Sequence, residues 1–380
     1  MERDPLPGRM IADVPPLAPL PQIENTAFES TLETATHALH NDFKSGASQL
    51  ADVALACFTQ LTDAAVPLAV SQGDLWSLLV YAARRLSAAR PSMGAAVTAR
   101  LLYALKRIAE CWKAANIDEQ SLAAAAKWAS DVLGDIKVER LTIGTRLSLS
   151  FVGWLLERQK EHLHRCGERL TSIRILTLSN SKSICEAMIH ALSDLPDMQI
   201  RLTVLESRPR CEGADMASWI YTRTLHKSRL SVIIMPDCAV ATAVQNIDIV
   251  LLGADCINPN GNVSNKMGSL AAALCAKQQN QNVSVVVLSD TEKIAVLGEG
   301  MEGHEIHPSS ELSTAWTPET RGALEDNEHV QIFGEWFEWV PAELVDVYVT
   351  ERGRLTARDV ANLANEVKEL KEGIFQTEEE

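Results

Sequence analysis

The chain has 380 residues, 46% of them hydrophobic, and 50 Asp and Glu against 35 Lys and Arg, a formal net charge of −15. That much apolar sequence supports a sizeable core in one large domain or two ordinary ones. So acidic a balance argues against nucleic acid or an anionic membrane as the main partner, yet leaves room for a local basic pocket that takes a phosphate.

Six prolines (Pro5, Pro7, Pro15, Pro16, Pro19 and Pro21) without apolar periodicity make residues 1–24 an extended, disordered lead. The opening Met-Glu-Arg-Asp has no apolar signal core, so the chain is expected to be cytoplasmic. No apolar run approaches the ~18 residues needed to cross a bilayer. The cysteines at 57, 111, 166, 185, 211, 238, 256 and 275 form no Cys-x-x-Cys pair, as expected of reduced thiols in a cytosolic protein.

Residues 25–168 read as a helical N-terminal domain. Leu101, Leu105, Ile108 and Trp112 recur at helical spacing, alanines favour close helix packing, and strand-like runs are absent. Residues 169–372 change texture. Strands are predicted at 173–177, 200–205, 232–235, 247–252, 283–288 and 345–350. Amphipathic segments alternate with them, such as 181–195 with Ile184, Met188, Ala191 and Leu192 on one side. This alternation predicts an α/β fold with a parallel sheet wrapped by helices. Residues 293–335 lack a period and read as a long loop or insertion, and 373–380 as a solvated acidic tail.

Three polar clusters stand at carboxyl ends of predicted strands, where open parallel sheets bind ligands. The first is Ser179-Asn180-Ser181, suited to capping a helix or to seating a phosphate on its N-terminus. The second runs from Glu206 to Gly213, where Arg208 and Arg210 flank a proline. They offer a fork for phosphate or, alternatively, pair with Glu206 or Glu212 on a surface turn. The third runs from Gly253 to Gly268. In it Asp255 is a candidate general base, Lys266 a partner for a phosphate or a developing enolate, and Asn265 an orienting amide. The blander reading has Asp255 capping a turn. His304-x-x-His307 is expected to be solvated, and no metal or other cofactor is expected. Phe333, Trp336, Phe337 and Trp339 suggest a subunit interface.

Gly253-Ala254-Asp255 leading through Asn260-Gly261 to Asn265-Lys266-Met267-Gly268 resembles the signature of a known superfamily. It joins translation initiation factor 2B regulatory subunits with aldose–ketose isomerases of phosphorylated pentoses. Glu206-Ser207-Arg208-Pro209 through Gly213 is similar to its Glu-Thr/Ser-Arg-Pro…Gly segment. Thr177-Leu178-Ser179-Asn180-Ser181 is similar to the Thr-His-Cys-Asn-Ser loop of its isomerases. Arg90-Pro91-Ser92 looks like its Arg-Pro-Thr element, and the stretch from Phe337 to Asp346 like a family segment near the C-terminus. The match spans roughly residues 80–365 in order.

The resemblance implies a helical N-terminal domain followed by a Rossmann-like domain of the NagB/RpiA/CoA transferase type, with dimerisation through the latter. In the enzymes a cysteine and an aspartate move protons on an open-chain sugar phosphate, either ribose 1,5-bisphosphate or 5-methylthioribose 1-phosphate. Here Ser179 stands where that cysteine would be, and an alcohol is a far weaker acid than a thiol. Losing one matched proton-transfer group costs on the order of 10²–10⁴ in rate. Asp255, the other catalytic group, is retained, whereas translation subunits commonly lack it. Cys256 adjoins Asp255, but successive side chains on a strand point apart.

The leading expectation is therefore an initiation factor 2B-related protein that binds a phosphorylated sugar or nucleotide and works through a homodimer or a hetero-oligomer. Arg90, Ser179, Asn180, Ser181, Arg208, Asp255, Asn265 and Lys266 would line its pocket. The rival is a working pentose-phosphate isomerase using Asp255, and a third reading is a structural paralogue with an empty pocket.

Overall fold

A computed structural model describes residues 14–115, 121–296, 306–325 and 327–375. The start of the proline-rich lead, the end of the acidic tail and His304 lie outside the described residues. The described residues form two compact units. One gathers those of 1–141, 292–301 and 362–380, and the other those of 142–291 and 302–361.

The first unit is built of helices α1 (Ala27–His40), α2 (Ala47–Ala65), α3 (Gln72–Ser87), α4 (Gly94–Ala114) and the opening of α5 (Leu122–Cys166). Local chemistry sets their starts. Ser71 caps α3 by accepting the Asp74 N–H at 3.1 Å, and the Asp74 carboxylate accepts the Ser71 N–H at 3.0 Å, a reciprocal capping box. The predicted α4 stripe is buried: Leu101, Leu105 and Ile108 are fully enclosed and Trp112 nearly so. Trp112 meets Trp76 edge-on at 6.0 Å and donates its indole N–H to the Ala125 carbonyl at 2.9 Å. Each such side chain contributes roughly 1.5–3 kcal/mol of burial.

The second unit holds strands β1 (Ser172–Thr177), β2 (Gln199–Leu205), β3 (Leu230–Met235), β4 (Ile249–Leu252), β5 (Cys256–Ile257), β6 (Val263–Lys266), β7 (Ser284–Leu288), β8 (Phe337–Val340), β9 (Val347–Thr350) and β10 (Gly353–Leu355). Its helices are α6 (Lys182–Asp194), α7 (Glu212–Arg223), α8 (Val240–Ala243), α9 (Ser269–Gln279), α10 (Ser309–Ser313) and α11 (Pro318–Leu324); α12 (Ala357–Phe375) closes the described chain. The main sheet runs β10-β9-β7-β4-β1-β2-β3, parallel throughout except for β10. All six predicted strands are present. The strand order turns about β1, whose neighbours are β2 and β4, which makes the carboxyl ends of these three the natural ligand crevice. Ile184, Met188, Ala191 and Leu192 of α6 are buried in one core with Ile175, Leu202 and Ile249 of the sheet. Cys185 shares that core; burial pushes its thiol up to about 12, which leaves it unreactive.

Three features depart from the sequence-based expectation. A small antiparallel sheet, β5-β6-β8, was not legible as such. The stretch 293–335 is not a featureless loop, since it carries α10, α11 and an isolated bridge between Ile306 and Glu335. The division between compact units falls inside α5 rather than at 168. Leu147, Phe151 and Leu155 of α5 join the core of the sheet unit, while residues 362–375 of α12 group with the helical unit. Sequence texture changes where helix gives way to strand, and packing follows the apolar faces instead.

Gly213, in the first turn of α7, shows how tightly α7 meets β2. A Cβ there would run into the Leu205 carbonyl oxygen, a backbone atom that cannot swing aside. Gly213→Ala is therefore expected to destabilise the protein by about 3 kcal/mol. In α5, a methyl added at Gly134 would meet nothing within 4 Å. Gly134→Ala should stabilise by up to ~1 kcal/mol through helix propensity. Denaturant midpoints moving in opposite directions would bear this out, and a Gly213→Ala midpoint equal to the parent's would refute it.

Candidate functional site

The three polar clusters come together where β1, β2 and β4 end. After β1, Ser179 adopts a left-handed backbone with φ +68° and donates its N–H to Ser207 Oγ at 2.7 Å. Ser181 caps α6, its Oγ accepting the Ile184 N–H at 3.3 Å. Asn180 between them is exposed. This is a helix N-terminus framed by small polar groups, suited to an anion.

After β2, Ser207 is left-handed at φ +62°, Cys211 at +57°, and the Arg208–Pro209 peptide is cis. The Ser207 and Arg208 N–H groups both donate to the Asp237 carboxylate, at 2.8 and 2.7 Å. The Arg208 side chain is exposed.

After β4, Gly253 keeps the segments close. A Cβ in its place would lie 3.4 Å from Ser181 Oγ and 3.6 Å from Asn265 Oδ1. Asp255 is half-buried, and its N–H donates to the Ser264 carbonyl at 2.8 Å. Asn265 is buried and donates from Nδ2 to Ser269 Oγ at 2.8 Å. Gly268 turns the chain at φ +105°, where an added Cβ would lie 3.3 Å from Leu178, the residue before the first cluster. Glu338 occupies the N-terminus of α9, accepting the Gly268 and Leu270 N–H groups, so that helix end is already matched to a negative charge.

Lys266, itself buried, anchors a partly exposed charge array. Its ammonium lies 2.8 Å from Glu212 Oε2 and 3.4 Å from the centroid of the Trp336 ring. Burial depresses its pKa, opposed by the Glu212 and Asp255 charges and reinforced by Arg210. The Arg210 guanidinium sits 4.2 Å from the same indole and pairs with Glu311 at 2.5 Å. His307 stacks on Trp336 at 3.8 Å and approaches Glu311 at 3.4 Å.

These contacts revise two expectations. His307 is buried rather than solvated, and Trp336 is buried beneath Lys266 rather than presented to a partner. Sequence reasoning had no means of pairing Glu212, Glu311 and Trp336 with Lys266, since separate chain segments meet there; Asp237 was missed altogether. Arg90 belongs to the helical unit. There its guanidinium donates to the Asp42 carbonyl and lies 5.1 Å from the Phe43 ring centroid. Cys256 is buried within β5. Among the described residues no three His, Cys, Asp or Glu side chains gather to hold a metal ion, and no helix is long and apolar enough to cross a membrane.

The Asn258–Asn262 turn that carries the chain from Asp255 towards Lys266 is braced from below. Asn258 Oδ1 accepts the N–H groups of Asn260 and Asn262 at 3.0 and 2.9 Å, and Tyr348 donates its phenol to the Gly261 carbonyl. Burial pushes the Tyr348 phenol up to about 12 from an ordinary 10.0. The folded chain keeps that proton longer than the unfolded chain, so the stability it confers is full below pH 10.0 and is lost as pH climbs towards 12. Tyr348→Phe should flatten the decline over that range, as read from denaturant midpoints at stepped pH; an unchanged slope would show that other groups carry it.

A Rossmann-like parallel sheet with polar groups at its strand-order turn, in a chain that also carries a helical unit, defines the fold class of this α/β protein. The chain belongs to the initiation factor 2 subunit family, which matches residues 44–357. It is 28% identical over 289 residues to a ribose 1,5-bisphosphate isomerase of Thermococcus kodakarensis, covering 66% of this chain and 82% of that one. It is 31% identical over 158 residues to a methylthioribose-1-phosphate isomerase of Acaryochloris marina, a stretch covering 41% of this chain and 42% of that one. Among solved structures, a chain of the tetrameric eIF2B-beta2-delta2 complex from C. thermophilum superposes with a TM-score of 0.61 at 17% identity, over 90% of this chain and 95% of that one. That last likeness speaks to fold alone.

Proposed function

We propose that the chain binds a phosphorylated pentose over the ends of β1, β2 and β4 and interconverts its aldose and ketose forms, with Asp255 as the proton shuttle. The observation that carries this is the placement of Asp255 itself. It sits half-buried at the end of β4, its charge acting on Lys266, while Gly253 two residues before it lies against Ser181 and Asn265. In this reading Asp255 takes the proton from C2 of the open-chain aldose and returns it to C1, and the Lys266 ammonium steadies the negative charge that develops on the oxygens between. Ser181 with the α6 N-terminus, and Arg208, hold phosphate. Asn265 orients the sugar, and Asn180 borders the cleft. Arg90 carries the Arg-Pro-Ser element that resembles the family's Arg-Pro-Thr, and a ligand role for it rests on that resemblance. The names of the relatives support the reaction class, and assembly with like or related subunits is part of the same proposal. We place the protein in the cytoplasm.

A second reading rests on Ser179. With a hydroxyl at the position of the isomerases' cysteine, the site keeps one of two proton-transfer groups, and the protein then binds its sugar phosphate or nucleotide as a regulatory subunit without turning it over. The two readings part on one experiment. Thermal shifts with ribose 1,5-bisphosphate, 5-methylthioribose 1-phosphate and AMP identify a ligand, since ligand at about 100 times its Kd stabilises by about 2.7 kcal/mol. Ketose formation is then followed directly. The isomerase reading expects slow turnover, raised by on the order of 10² in Ser179→Cys. Binding without turnover in the parent chain would establish the regulatory reading instead, and absence of binding would overturn both.

A further inference from the structure

We propose that Asp237, which follows β3 and belongs to none of the three polar clusters, is the positioning residue of this site. Its two carboxylate oxygens accept the N–H groups of Ser207 and Arg208 at 2.8 and 2.7 Å. Ser207 is almost wholly buried in a left-handed backbone, which a residue other than glycine keeps only when its surroundings hold it there. In that pose the Ser207 hydroxyl accepts the Ser179 N–H at 2.7 Å and donates to the Leu205 carbonyl at 3.2 Å. Ser179 is left-handed in its turn.

One carboxylate from the end of β3 thereby fixes the loops after β2 and β1 together. It sets the backbone of Ser207, the anchorage of the Ser179 amide, and the plane of the Ser207–Arg208 peptide from which the arginine departs. Asp237 touches no reacting atom; it acts through Ser207 and Arg208. A carboxylate is what this task requires. An asparagine brings one acceptor oxygen to two N–H donors and turns an amide nitrogen, itself a donor, towards the second. The consequence for ligand affinity rests on the sugar-phosphate reading above, whereas the hydrogen-bond relay does not.

The test compares Asp237→Asn, Asp237→Glu and Ser207→Ala with the parent chain, by amide hydrogen exchange and by kinetics with ribose 1,5-bisphosphate. Exchange at the Ser179 amide should quicken about tenfold in Asp237→Asn, as in Ser207→Ala, and recover in part in Asp237→Glu, with the β4 amides unchanged. KM should rise about tenfold in Asp237→Asn with kcat changing less, because Arg208, whose backbone N–H it holds, binds phosphate and does not react. Unchanged Ser179 exchange in Asp237→Asn would overturn the relay, whether or not any sugar phosphate is a substrate. So would a uniform loss of protection across the sheet, which would reduce Asp237 to a general support of the fold. Should Asp237→Asn not fold, Ser207→Ala reads the second link alone, and normal Ser179 exchange there refutes it. Failure of the parent chain to bind any sugar phosphate would remove the functional reading while leaving the relay to the exchange data.

Discussion

On the isomerase reading proposed above, Asp255→Asn is expected to lower aldose–ketose turnover by ~10²–10⁴ while leaving the fold and ligand affinity close to those of the parent. The asparagine keeps the backbone N–H that donates to the Ser264 carbonyl, and the half-buried side chain exchanges a carboxylate for an isosteric amide. What is lost is the group at the end of β4 able to accept a carbon-bound proton near neutral pH. Progress curves of ketose formation, with thermal midpoints taken in parallel, check this. A variant that turns over at the parental rate would remove Asp255 from the chemistry. A variant that unfolds would show that the carboxylate is structural. Asp255→Glu serves as control, because it retains the base but displaces it, and should fall between the two.

A stability effect whose size depends on pH is expected at the Lys266 pair. Glu212→Gln leaves an ammonium that is almost wholly enclosed without its nearest counter-charge. Removing one partner of a buried pair costs roughly 3–5 kcal/mol. Glu212 is a quarter exposed and Asp255 still acts on Lys266, so a loss of about 2 kcal/mol is expected, just below that range. Replacing both, as Glu212→Gln with Lys266→Met, should recover most of the loss, because the apolar chain lies on Trp336 with no charge left to solvate. The pH dependence carries a sign. Lys266 is depressed below its ordinary 10.5 by burial, so the folded chain releases this proton first and stability rises with pH through the lysine range. Without Glu212 the depression deepens, and the deficit of Glu212→Gln should shrink as pH rises towards 10.5. A deficit that does not vary with pH would place its origin elsewhere.

Much of this architecture was legible in advance, for identifiable reasons. Continuous apolar runs such as 249–252, bounded by polar turns, fit strands buried on both faces, and a stripe such as Leu101–Leu105–Ile108–Trp112 has only a helical solution. The clusters at the ends of β1, β2 and β4 were readable because a parallel sheet brings its strand ends to one side. The partners of those clusters were not readable. Glu311, His307 and Trp336 lie in or beside a stretch without period, and nothing local tells that Trp336 will lie under the ammonium of Lys266, from a distant part of the chain. Asp237 looks like any helix-capping aspartate until the left-handed turn at Ser207 is seen beside it. The change of compact unit within α5 was hidden for a related reason, since one continuous helix gives no sign of which core each of its turns will join.

The array on Trp336 bears on what binding must involve. Lys266 and Arg210 share one indole, and each already faces a carboxylate, Glu212 and Glu311. On the sugar-phosphate reading, a ligand charge arriving beside Lys266 thus meets two cations already matched by Glu212 and Glu311, with the Asp255 charge also acting on Lys266. To offset the added charge a carboxylate must move out to water or a hydrogen ion must be taken up with the ligand. In the second case sugar phosphate and hydrogen ion bind as partners, each raising the affinity for the other by the same factor, and the heat of binding varies with the ionisation heat of the buffer that supplies the ion.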